Sequence, residues 1–210
     1  MRIELKNKLN SLLRMPKEQQ MQEVLADLVA NGFEKVGMRS KRYIVTAFTK
    51  PDCPYVVIEL KSKKDSQRDT LCVLDKVDYE KMKDMYFRNN LRGKKGCKRY
   101  PRIQVTGNYE GKHLSGANVS EMVCAKTKGQ VIDHKFHNTM INTREALRAC
   151  TVKENNMNKK KCKHPTNPEY AYKPEEDFGK TWFLYIYGRV LGEISMEEAF
   201  AFNLDHNDDN

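Results

Sequence analysis

KGQVIDHKFHNTMINTREALRACTVKENNMNKKKC, residues 128–162, carries three local signals in succession. Gln130-Val131-Ile132 is a short β-prone run that ends on Asp133-His134, and EALRACT, residues 145–151, is a second. Thr151-Val152-Lys153-Glu154 is a capping box, in which hydroxyl and carboxylate each satisfy a backbone donor of the helix they begin. A helix is therefore expected from Val152, carrying Asn155, Asn156 and Asn158. The predicted order is strand, loop, strand, helix. Neighbouring strand residues point to opposite faces, so Asp133 and His134 can serve one site only where the first strand ends. The turn-forming pair His137-Asn138 places that end just beyond them.

These residue types suit the cutting of a phosphodiester. The reaction needs a base for the attacking water, neutralisation of charge on the phosphorus, and help for the departing 3′ oxygen. An imidazole with an unperturbed pKa of about 6.5 accepts a proton near neutrality, which makes His134 the candidate base. Asp133 offers the hard oxygen that Mg²⁺ prefers, and Asn155 offers another. Two protein ligands suffice, because Mg²⁺ keeps water and phosphate in its remaining positions.

Taken in order, these positions resemble the HNH, or ββα-metal (His-Me finger), endonuclease motif of phage and intron-encoded homing enzymes. That motif has an Asp-His pair, an Asn-Leu-Arg strand and an asparagine in the following helix. Asp133-His134, Leu147-Arg148, Thr151 and Asn155 with Asn158 fall on those places, and the likeness extends upstream through VLDKVDYEKM (73–82) and VSEMVCAKTKG (119–129). It covers residues 70–162. The resemblance implies an α+β chain with a central ββα nuclease unit. It also implies that Asp133 and Asn155 hold one Mg²⁺ or Mn²⁺, that His134 is the general base, and that double-stranded DNA is nicked or cleaved at a chosen site.

Two positions depart from the pattern. Ala146 stands where the family has the asparagine that steadies the base, and Ser120 stands where many relatives have a histidine. A methyl group cannot aim an imidazole, so catalysis is expected to be impaired. Ala146 reads as an inactivating change, as decay, or as a contact passed to Asn142 or Asn138; survival of the other motif positions favours the first. The alternative function is a non-cutting, sequence-specific DNA-binding protein on the same scaffold, with RNA binding a third and weaker reading.

Charge supports a polyanionic partner. The chain carries a net +10, and residues 163–210 hold four Lys/Arg against ten Asp/Glu, so residues 1–162 carry +16. Neutralising phosphates with such a surface releases counterions. RNNLRGKKGCKRYPR, residues 88–102, has seven basic residues broken by Gly93, Gly96 and Pro101, and reads as a loop on the DNA backbone. The expected DNA contacts are Arg88, Arg92, Lys94, Lys95, Lys98, Arg99, Arg102, Arg148, Lys159, Lys160 and Lys161.

The flanking sequence suggests two further units. Residues 1–65 read as an α/β unit, with a helix over 16–31 ended by Gly32 and strands at RYIVTAF (42–48) and PYVVIEL (54–60). Asp52 with Glu59 and Lys61 makes a faint restriction-nuclease-like metal pattern. Residues 66–162 form the nuclease domain, opening with a strand, LCVLD, and a helix bearing Tyr79, Met82 and Met85. A proline-bearing linker, 163–180, leads to a C-terminal strand-strand-helix unit over 181–210, built from TWFLYIY, VLGEI and a helix capped by Ser195, with some likeness to the plant Apetala-type DNA-binding domain. The six cysteines form no C-x-x-C pair, and His137, Cys150, Cys162 and His164 match no common zinc spacing. With no signal-peptide core and no apolar run near the roughly 20 residues of a membrane span, the expected setting is reduced and intracellular.

Overall fold

A computed structural model describes residues 3–65, 68–92, 100–135, 138–158 and 183–193. It is an α+β protein with several small sheets, and it divides into two compact units, one from Met1–Gly32 with Lys161–Asn210, the other from Phe33–Lys160. This division differs from the expected boundary at residue 65.

Among the described residues, all the strands fall in the larger unit. β1 (Glu34–Met38), β2 (Tyr43–Thr49), β3 (Tyr55–Ser62) and β4 (Thr70–Asp75) form consecutive antiparallel pairs. Val56, Val57, Ile58 and Leu60 of β3 are all fully buried, as are Cys72, Val73 and Leu74 of β4. With Glu59 between Ile58 and Leu60 also buried, these runs belong to strands covered on both faces. Because β3 pairs along its length with β4, the sheet crosses the expected boundary and joins the two sequence segments into one core. After α3 (Lys76–Met82), β5 (Tyr86–Arg92), β6 (Tyr100–Tyr109) and β7 (Lys112–Asn118) make a second antiparallel sheet. The Tyr43 hydroxyl donates to the Asn89 carbonyl at 2.7 Å and ties this sheet to the first.

β5 and β6 correct the expected basic loop over 88–102. Residues 88–92 and 100–102 are strand, and residues 93–99 lie outside the described residues. Basic composition hid a period of two: Phe87, Asn89, Ile103 and Val105 are buried, whereas Arg88 and Arg102 are exposed.

α4 (Val119–Val123) leads to β8 (Gln130–His134), β9 (Ile141–Asn142), β10 (Leu147–Thr151) and α5 (Val152–Asn158). β8 and β10 pair antiparallel, and α5 follows directly, which is the predicted strand, loop, strand, helix. The loop between them contributes β9, whose two residues add to the first sheet in parallel with β4.

The smaller unit contains α1 (Ile3–Arg14) and α2 (Lys17–Ala30). Leu5, Leu9 and Leu12 bury one stripe of α1, and Met21, Val24 and Leu28 one stripe of α2. The C-terminal segment is not the expected pair of strands. Residues 183–185 are α-helical and run into a π-helical turn, Ile186–Val190. Phe183 to Tyr187 are five consecutive buried residues, so the segment is covered all round and has no solvent face to impose alternation. Its aromatic and β-branched composition suggested strands that packing did not select. The Tyr187 hydroxyl donates to the Asp27 carboxylate, which also pairs with Lys8 at 2.6 Å. The linker and the expected helix after Ser195 lie outside the described residues.

Candidate active site

The hairpin register sets the site. His134 pairs with Leu147, Asp133 with Arg148, and Val131 with Cys150. The capping box at the start of α5 is formed: the Thr151 amide and hydroxyl donate to Glu154 Oε2 at 2.7 and 2.8 Å, and the Glu154 amide donates to Thr151 Oγ1 at 3.2 Å. These bonds hold the Glu154 carboxyl below its ordinary range. The cap fixes where Asn155 stands in the first turn of α5, which follows directly on the strand that carries the buried Cys150. Cys150, Arg148 and Asp133 share one face of the hairpin by alternation and register.

Asp133 is buried, and Arg148 lies directly across from it. The Arg148 Nε and Nη2 both approach one carboxylate oxygen, Oδ2, at 2.9 Å. A residue expected to bind metal and a residue expected to bind DNA are therefore joined to each other.

His134 points the other way, and Asn142 of β9 meets it. Its Nε2 lies 3.3 Å from Asn142 Oδ1. The Asn142 amide nitrogen donates to the Thr139 carbonyl at 3.0 Å and toward the Cys72 sulfur at 3.5 Å, which leaves Oδ1 as the end that faces the imidazole. An acceptor there requires the proton on Nε2 and leaves Nδ1 with its lone pair. Burial pushes the imidazole down to about 4, against the upward pull of Asn142 and Asp133 and with a smaller push from Arg102, so His134 is neutral at pH 7. Of Asn142 and Asn138, the two asparagines expected as alternatives to the one absent at Ala146, it is Asn142 that meets His134. Ala146 is buried in the turn before β10, and its carbonyl accepts from the Lys135 amide at 2.8 Å. Asn138 is occupied differently: its Oδ1 accepts from the Met140 amide at 2.9 Å.

What holds Asn142 in place was not visible in the sequence. The Val73 amide donates to the Met140 carbonyl at 2.9 Å beside the β4–β9 pairing. Arg144 forks onto both oxygens of buried Asp78 at 2.8 Å each, while its own amide donates to Asp75 at 2.7 Å. Asp78 and Arg144 are far apart in sequence, and neither belongs to a recognisable spacing.

The remaining expected contacts fall in several places. Arg88, Asn90 and Arg102 share the outward face of β5–β6, over Gln104. Gln104 Oε1 accepts from Arg88 Nε and Nη2 at 3.2 and 2.9 Å and from Asn90 at 3.1 Å, and its amide donates to Asn118 at 3.0 Å. Gly116, at φ +66°, lets this network close, because a Cβ there would come within 2.4 Å of Arg88 Nη2. Arg92 pairs with Tyr100 in the β5–β6 register. Lys94, Lys95, Lys98, Arg99, Lys159, Lys160 and Lys161 lie outside the described residues, as do His137, Cys162 and His164. The restriction-nuclease-like pattern does not assemble: Asp52 sits in the turn before β3, whereas Glu59 and Lys61 pair with each other near its far end, at 3.1 Å.

Among the described residues no group of three or more His, Cys, Asp or Glu stands ready to hold a metal. The donor set at the hairpin, one carboxylate and one amide on adjoining elements, fits only a hard ion that keeps most of its water. Among the described residues no helix is long and apolar enough to cross a membrane. No family model, curated protein or solved structure matches the chain.

Proposed function

We propose that this chain is a divalent-metal-dependent endonuclease of the HNH kind acting on double-stranded DNA. The observation that carries the reading is the neutral imidazole of His134, held at Nε2 by Asn142, next in sequence to a buried carboxylate at the end of the first strand of a strand-strand-helix unit. His134 is the last residue of β8 and faces away from Asp133, so a phosphodiester has to wrap the end of this strand to meet both side chains. His134 Nδ1 takes the proton from the attacking water. Asp133 and Asn155 would hold the Mg²⁺ or Mn²⁺, which when bound supplies positive charge beside the phosphate and the departing oxygen. Arg88 and Arg102 on the outward sheet face supply backbone contacts, supported by the basic excess of residues 1–162.

Incubating supercoiled plasmid with the protein and Mg²⁺ or Mn²⁺ tests the reading. Nicking that EDTA, Asp133→Ala and His134→Ala each abolish is the expected result. Equal residual cutting by wild type and His134→Ala would mean a contaminating nuclease and remove the basis for the assignment.

A second reading, a DNA-binding protein without cleavage, is favoured by one feature: Asp133 is already neutralised by Arg148. Tight duplex binding with no nicking under any divalent ion would select it.

A further inference from the structure

The larger unit contains two buried aspartates paired with arginines, and the pairs differ in construction. Arg144 forks across both oxygens of Asp78, and its backbone amide is tied to Asp75. Fork-to-fork geometry of this kind is the strong form of the interaction. Arg148 instead brings two nitrogens to the single oxygen Oδ2 of Asp133, from an exposed position on β10. The pairs do not differ in exposure, Asp133 and Arg148 being 8% and 44% exposed and Asp78 and Arg144 5% and 57%, so the difference lies in how the carboxylate is gripped. A carboxylate so buried needs a counter-charge beside it, and a guanidinium held on one oxygen loses less by moving to another anion than one forked over both.

We propose that Arg148 is the resident counter-ion of Asp133, exchanged for a divalent cation as a DNA phosphate takes up the freed guanidinium. This rests on the metal-dependent nuclease reading above. Arg148 holds Oδ2, so a divalent cation arriving at Asp133, on either oxygen, sits within a few ångströms of the guanidinium and is repelled by it, which favours release of Arg148. In the absence of DNA the displaced charge has solvent and, among the described residues, the Glu154 carboxyl, which feels Arg148 from the first turn of α5. With DNA it gains a phosphate, which matches its planar fork. Metal and DNA therefore bind cooperatively, and by linkage each raises the affinity for the other by one common factor. The exchange also reconciles the two tasks that the sequence assigns to Asp133 and Arg148.

The test is Mn²⁺ binding to the full chain, read from the electron paramagnetic resonance signal of free Mn²⁺. It is run with and without a short mixed-sequence duplex, and Mn²⁺ held by duplex alone is subtracted. Wild type, Arg148→Gln, Arg148→Lys and Asp133→Asn are compared after circular dichroism confirms their folding. Arg148→Gln should bind Mn²⁺ without DNA at least about fivefold more tightly than wild type. The duplex should tighten wild-type binding by a similar factor and leave Arg148→Gln unchanged. Arg148→Lys, which keeps the charge, should stay near wild type. If Asp133→Asn abolishes Mn²⁺ binding while Arg148→Gln matches wild type, the counter-ion proposal is overturned and the metal site stands. Absence of any Mn²⁺ binding sensitive to Asp133→Asn overturns both. Should Arg148→Gln not fold, the wild-type pair of measurements decides alone: no tightening by duplex ends the proposal.

Discussion

The amide of Asn142 is used at both ends, donating to Thr139 and Cys72 and accepting from His134. Asn142→Ala removes the acceptor that fixes the His134 tautomer, and plasmid nicking should fall by about 10²-fold or more, within the range of acid-base catalysis. Ala146→Asn should not improve cutting. Its site is 1% exposed, so a carboxamide there overpacks the turn; urea unfolding should show a loss of about 1–3 kcal/mol. His134 also has a signature in stability. Its folded pKa, about 4, lies below the unfolded value near 6.5, so the unfolded chain takes up the proton first as pH falls. The stability it contributes is whole above about pH 6.5 and is lost on the way down to 4. With EDTA present, wild type should lose about 1–2 kcal/mol more than His134→Gln between pH 7.5 and 5, measured by urea unfolding.

At the scale of elements, the α5 cap links local chemistry to the candidate site. Thr151→Ala should cost about 1 kcal/mol and fray the turn that carries Asn155. Mn²⁺ affinity should weaken with it, whereas Val152→Ala, at a position with its side chain in solvent, should change neither quantity. Elements of this kind were legible because their signals are local: Thr151 and Glu154 stand three apart, and Gln130–Ile132 stops at a polar pair. β9 was not legible. It is two residues long, and its partner Val73 is 68 residues away from Ile141, so no short-range pattern marks the pairing that puts Asn142 against His134. The C-terminal segment failed for the opposite reason. Every position from Phe183 to Tyr187 is apolar enough to be buried, and a run without a polar face carries no period to read. Asp133, His134, Arg148 and Asn155 were all nameable from the sequence, but the pairing of Asp133 with Arg148 depended on the β8–β10 register.

For the molecule as a whole, charge is the property that a binding experiment reads most directly. The outward face of β5–β6 presents Arg88 and Arg102 from a chain of net +10, and each phosphate neutralised contributes about 0.9 to the slope of log affinity against log salt. Arg102→Ala should shallow that slope by about one for every duplex sequence alike, in fluorescence anisotropy titrations across a salt series. The seam between β4 and β9 has a different consequence. Two residue pairs hold it, and the Cys72 sulfur lies beneath, fully buried, with burial pushing its thiol up to about 12. A maleimide cannot react there while the seam is shut, so the slow labelling rate of this one thiol, with the other cysteines replaced, clocks how often β9 lifts away and His134 loses its guide.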